Sequence, residues 1–163
     1  MYMNKKTTMK RIIFIFSLSL MLTGAGSCIK DTGCQNKTVQ SEQAAILAYA
    51  AANGITATAN GSGFYYEIIN PGSGPAPTLN SQVSVRYTGK LLDGTVFDSQ
   101  TGAAITFPLG NTIFGWQLGL PLIQKGGTIK LIIPSSLAYG CRGQGSIPSN
   151  AILYFEIQLV DVL

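Results

Sequence analysis

Across the C-terminal two-thirds of the chain the apolar residues fall into short runs, each closed by turn chemistry. That punctuation restricts the fold more than any other feature. Gln82-Val83-Ser84-Val85-Arg86-Tyr87-Thr88-Gly89 alternates, with Val83, Val85 and Tyr87 on one face, the pattern of a half-buried strand. Residues 64–69 predict a strand closed by Asn70-Pro71-Gly72-Ser73-Gly74-Pro75, a dense turn signal. Leu91-Leu92-Asp93-Gly94-Thr95-Val96-Phe97 reads as strand, Asp-Gly hairpin turn and strand. Residues 128–133 and 151–160 predict two more strands, and residues 115–123 one short helix near or bent by Pro121. Mostly antiparallel strands around one short central helix define an α+β fold, a twisted sheet wrapped on a helix. Such an arrangement leaves a cleft between the two apolar faces.

Upstream, Lys10-Arg11 precede an apolar run over residues 12–22, then Thr23-Gly24-Ala25-Gly26-Ser27 and Cys28. The run has the length of a signal-peptide core and falls short of the ~20 apolar residues of a membrane span. Residues 1–27 resemble a bacterial lipoprotein signal, which makes Cys28 the lipidated mature N-terminus and the bilayer a partner through its anchor. Ala25 stands where that signal prefers a branched apolar residue, and a plain secretory signal cut near Ala25 or Ser27 is the competing reading. Ile29 after Cys28, in place of an acidic residue, suits outer-membrane sorting. The expected location is therefore the cell envelope, lipid-anchored at the outer membrane, with the C-terminal domain outside the cytoplasm.

Residues 28–40 are polar and aperiodic, a flexible tether. Residues 41–62 form a short helical extension: Ser41 as N-cap, Glu42 in the first turn, an alanine-rich body and Asn53-Gly54 as the stop. Ile46, Tyr49 and Ala50 share one face that can dock, and the expected role is spacer or lid. The remaining cysteines, Cys34 and Cys141, can pair in an oxidising compartment, although nothing in the sequence brings them together.

Composition narrows the chemistry. The net charge of +4 comes from Lys5, Lys6, Lys10 and Arg11, all before residue 28; residues 28–163 hold seven basic and seven acidic side chains. That balance removes the basic face a nucleic-acid partner requires. The chain has no histidine, hence no imidazole base, no Ser-His or Cys-His pair and no imidazole metal ligand. Three scattered cysteines predict no metal site, and no cofactor is expected.

Several blocks then fall in register: Val85-Arg86-Tyr87-Thr88-Gly89, Leu92-Asp93-Gly94-Thr95-Val96-Phe97-Asp98-Ser99, Phe107-Pro108-Leu109-Gly110, Gly115-Trp116, Leu137-Ala138-Tyr139-Gly140 and Ile147-Pro148. In order, spacing and identity they resemble the FKBP-type peptidyl-prolyl cis/trans isomerases over residues 63–163. The resemblance implies a proline pocket floored by Trp116 and walled by Tyr87, Phe97 and Phe155, with Ile113 and Ile147 along the rim. It places the family's carboxylate at Asp98 and its loop tyrosine at Tyr139, and puts the Ile113 N–H where a ligand carbonyl is met. A second wall aromatic of the family falls at Ile105, which makes that side less aromatic. The segments between Gly110 and Trp116 and between Tyr139 and Ile147 are shorter than in the best-known members. Phe107 is assigned to the core.

Tyr87, Phe97, Asp98, Tyr139 and Phe155 are thus the expected catalytic set, with Ile105, Ile113, Trp116 and Ile147 binding substrate. The implied partners are proline-containing polypeptides and inhibitors of the macrolide immunosuppressant type. Isomerising an X–Pro bond breaks no covalent bond and moves no net proton, so the missing histidine is no handicap. A proline-recognising chaperone or binding module without catalysis is the alternative on the same fold.

Overall fold

The computed structural model describes residues 33–163; the expected signal and Cys28 lie outside them. Six strands form one fully antiparallel sheet: β1 (Thr58–Ala59), β2 (Tyr65–Asn70), β3 (Gln82–Leu91), β4 (Val96–Pro108), β5 (Thr128–Ile133) and β6 (Leu153–Val162), in the order β1-β2-β5-β6-β3-β4. Helix α1 (Val39–Ala52) precedes the sheet, and α2 (Phe114–Gly119) lies between β4 and β5. The α+β architecture matches the expected one. The hairpin turn forms over Leu92-Asp93, closed by the Gly94 N–H on the Leu91 carbonyl, with Gly94 alone of the Asp-Gly pair at positive φ, +90°, in place of a two-residue Asp-Gly turn.

β5 and β6 are apolar on both faces only where α1 covers the back, at Ile132 and Tyr154; beyond it that face carries Lys130, Glu156 and Gln158. Along β5, Ile129, Leu131 and Ile133 face a core that includes Trp116, Leu120 and Phe155, while Ile132 faces a second core under α1 with Tyr65 and Tyr154. The unbroken run Leu131-Ile132-Ile133 is thus two period-2 faces, both buried. Helix α2 comes close to β5 through Gly115 and Gly119, one turn apart. A Cβ on Gly115 would stand 2.5 Å from Ile133 Cγ2, and one on Gly119 2.7 Å from Leu131 Cδ1. The expected helix over 115–123 ends at Gly119 and passes into a 3₁₀ turn, Leu120–Leu122, around Pro121.

β4 runs on to Pro108, well past the strand expected after the hairpin. Its outer part is polar or exposed, and its pairing with β3 carries two register shifts. Pairing with β3, rather than local apolar periodicity, holds it as an edge strand.

The N-terminal segment departs most from expectation. Thr38, not Ser41, caps α1: Thr38 Oγ1 accepts the Ser41 N–H at 3.2 Å, and the Ser41 hydroxyl donates back to the Thr38 carbonyl at 2.7 Å. The cap lies earlier because Val39 and Gln40, which break no helix, already belong to the first turn. Ile46 and Ala50 are buried against Ile132 and Tyr154, and Tyr49 meets the Tyr154 ring at 5.5 Å. The helix therefore covers the sheet's back rather than standing off as a spacer. Glu42 is 2% exposed and accepts from both the Ser135 N–H and the Ser135 hydroxyl at 2.8 Å. Residues 33–38, expected as free tether, are fastened to the domain by a disulfide between Cys34 and Cys141, whose Cα atoms lie 5.3 Å apart.

Candidate active site

Between the inner face of the sheet and α2 opens a cavity of about 520 Å³. β3 brings Tyr87 to it, β4 Phe97, Asp98 and Phe107, β6 Phe155, and α2 Trp116. Tyr87 and Phe155 arrive by alternation, the neighbours Phe97 and Asp98 both reach the cavity because the register of β4 shifts at Phe97, and Trp116 arrives because the glycines beside it press α2 to the sheet. Trp116 is 4% exposed yet remains part of the lining. Its ring is gripped edge-to-face by Tyr87 at 5.1 Å and Phe155 at 5.2 Å, with Phe107 tilted at 5.9 Å. Phe97 stands edge-on to Phe155 at 5.5 Å. These are the offset geometries aromatic quadrupoles prefer. The indole N–H is buried without an acceptor among the described residues, so the ring is held by packing and not by a hydrogen bond.

One polar pair stands at the side of this apolar hollow. The Tyr87 hydroxyl donates to Asp98 Oδ2 at 2.6 Å, a short charge-assisted bond. Burial first, and then the bond to Asp98, raise the Tyr87 hydroxyl well above its usual range. Burial and the Asp98 charge raise Tyr139 likewise. Both phenols therefore stay protonated at neutral pH and can donate. At the rim, the Gln117 amide donates to the Gly110 carbonyl at 3.0 Å and the Thr112 carbonyl at 2.7 Å, fixing the turn that leads into Ile113 at the head of α2.

Tyr87, Phe97, Asp98, Ile113, Trp116, Tyr139 and Phe155, all expected at the pocket, come together here. Ile105 and Ile147 do not reach the lining. Ile105 pairs with Val85 and packs against the core from β4. Ile147 is 8% exposed, folded onto the core by a bridged turn with Gln144. Phe107, expected in the core, packs against it and is also a wall of the cavity, and Phe114 and Gln117 join the lining without having been expected there. Period-2 counting could have found Phe107, which shares its strand side with Ile105; α2 is too short for its periodicity to assign faces.

A buried tryptophan under an aromatic wall, with a tyrosine–aspartate pair at its side, sits between an antiparallel sheet and a single short helix. This is the architecture of one class of prolyl isomerase. The family described as FKBP-type peptidyl-prolyl cis-trans isomerase matches residues 74–160, a span containing every residue of the lining, and the chain belongs to that family. FkpA of Aeromonas hydrophila is 45% identical over 103 residues, covering 62% of this chain and 38% of that protein. The FKBP-type 22 kDa peptidyl-prolyl cis-trans isomerase of Escherichia coli K12 is 46% identical over 105 residues, covering 63% and 51%. The crystal structure of FkpA from Escherichia coli superposes with a TM-score of 0.68 at 37% identity, covering 76% of this chain and 60% of that one. The chain thus spans only about 38–51% of the curated relatives' length.

Proposed function

We propose that this protein catalyses cis/trans isomerisation of X–Pro bonds in polypeptides outside the cytoplasm. The observation that carries the reading is the open hollow over Trp116, walled by Tyr87, Phe97, Phe107 and Phe155, with the Tyr87–Asp98 pair and Tyr139 among its lining. The planar imide is stabilised by a resonance that makes it polar, and rotation through the twisted state costs ~18–20 kcal/mol. Water favours the polar planar form. Packing the pyrrolidine ring between Trp116, Tyr87, Phe97 and Phe155 removes that solvation and brings planar and twisted forms closer in energy. The Tyr139 hydroxyl and the Ile113 N–H are the donors assigned to the substrate carbonyls. Asp98, engaged by Tyr87, orients the wall and is not a base. An acceleration of ~4 decades requires about 5.5 kcal/mol of preferential transition-state stabilisation, within reach of apolar packing and one or two directed hydrogen bonds.

Exchange in a short X–Pro peptide tests this directly. The purified protein is expected to accelerate it, and Phe97→Ala, Asp98→Ala and Tyr139→Phe to slow it while remaining folded. Full turnover in all three variants would remove the assigned site; binding of proline peptides with no acceleration would make the protein a recognition module.

The envelope location rests on the signal pattern ahead of Cys28 and is supported by the disulfide, a bond that persists in oxidising compartments. Lipidation of Cys28 is expected to hold the protein at the outer membrane. Cys28→Ser should then move it to the soluble fraction, and continued membrane retention would overturn the anchor. Macrolide-type inhibitors, as ligands of the same hollow, are expected to compete with proline peptides.

A further inference from the structure

Tyr139 stands in a loop that has short-range bonds of its own, among them Ala138 N–H to the Ser135 carbonyl at 3.0 Å and the Ser149 hydroxyl to the Cys141 carbonyl at 2.6 Å. Gly140, Gly143 and Gly145 follow within six residues, all at positive φ, a composition that leaves the free chain many conformations. A second set of fixings comes from the other end of the molecule, ahead of the family-matched residues 74–160. Four positions before Tyr139, buried Glu42 holds the N–H and hydroxyl of Ser135. Two positions after it, Cys141 is bonded to Cys34, and its N–H donates to Asn36 Oδ1 at 2.8 Å. Asn150 locks the far side: its N–H donates to the Gly140 carbonyl at 2.8 Å, its amide donates to the Gln35 carbonyl at 3.2 Å, and its Oδ1 accepts from Lys37 N–H at 3.3 Å. Asn150 makes these contacts from φ +55°, a backbone state that asparagine tolerates better than most residues.

We infer that residues 33–42 are a positioning brace for Tyr139, which grips its loop on both sides and holds the hydroxyl at the pocket. The inference rests on the isomerase reading, because it gives Tyr139 a substrate contact. Opening the disulfide lets the loop move and lowers turnover without touching the aromatic floor.

A double-mutant cycle tests the brace. Cys34→Ser/Cys141→Ser, and separately Asn36→Ala, are measured with Tyr139 present and in the Tyr139→Phe background, with a thermal melt to show that each variant is folded. Each brace variant is expected to lower kcat/KM about three- to tenfold when Tyr139 is present and by less than about twofold in the Tyr139→Phe background. Equal losses in both backgrounds, or no loss in either, would overturn the inference. If the wild-type protein shows no turnover, the isomerase reading fails on its own. Amide hydrogen exchange over residues 138–142 then decides the brace: faster exchange in the variants supports it, and unchanged exchange sinks it.

Discussion

Gly89→Ala is the sharpest probe of the pocket, because it adds one methyl group at a backbone position whose neighbours are known. Gly89 in β3 pairs with Asp98 of β4 on one side and Phe155 of β6 on the other. The rings of Phe97 and Phe155 lie directly over it. A Cβ there would stand 2.7 Å from Phe97 Cζ and 2.8 Å from Phe155 Cε1. Non-bonded carbons rest at about 3.5–4.0 Å, so both rings must withdraw by roughly 0.7–1.3 Å. They line the cavity, so the withdrawal changes its shape. Overpacking of this kind costs about 1–3 kcal/mol, and displacing a binding wall by ~1 Å can cost up to ~100-fold in rate. Urea unfolding should therefore show a folded variant less stable by about 1–3 kcal/mol. Its kcat/KM on an X–Pro peptide should fall about 10- to 100-fold. Wild-type turnover in a variant that shows the stability loss would mean that the position of these rings does not govern catalysis.

Two further outcomes follow from the polar groups. Glu42→Ala removes the acceptor for two buried donors of Ser135 and should destabilise the domain by about 2–4 kcal/mol in chemical denaturation; a change below half of that would show that water replaces the carboxylate freely. Tyr87 and Tyr139 are both raised above 10.0, by burial before any other cause. Turnover should hence stay level from neutral pH to about 10 and decline only above it. In stability, a raised folded-state pKa gives a contribution that is whole below the unfolded value and lost as pH climbs towards the folded one. Melting temperature should therefore begin to fall above about pH 10, and a rate that drops between pH 8 and 10 would contradict the assigned protonation.

Much of the domain was legible because its signals are local. The Asp93-Gly94 hairpin, the alternation of β3 and the apolar runs of β5 and β6 each state their conformation within a few residues. The glycine of Tyr87-Thr88-Gly89 has a physical meaning visible only in three dimensions: Gly89 is small because two aromatic rings from neighbouring strands rest on it. Phe107 both packs on the core and lines the cavity, and a strand phenylalanine faces either by the same alternation. What differs is whether anything packs beyond it.

Local signals suffice for the α+β sheet, its hairpin and the docking face of α1, since backbone periodicity and turn chemistry act between near neighbours, whereas the aromatic pocket was legible only through the resemblance to the FKBP-type isomerases. Tertiary structure decided what depends on partners far along the chain. Cys34 meets Cys141 across 107 residues, and Glu42 meets Ser135 across 93. No local pattern encodes such pairings, because each becomes favourable only after the sheet has brought the two segments together. The tether expected at the N-terminus and the loop that carries Tyr139 are, in the folded molecule, one fastened structure.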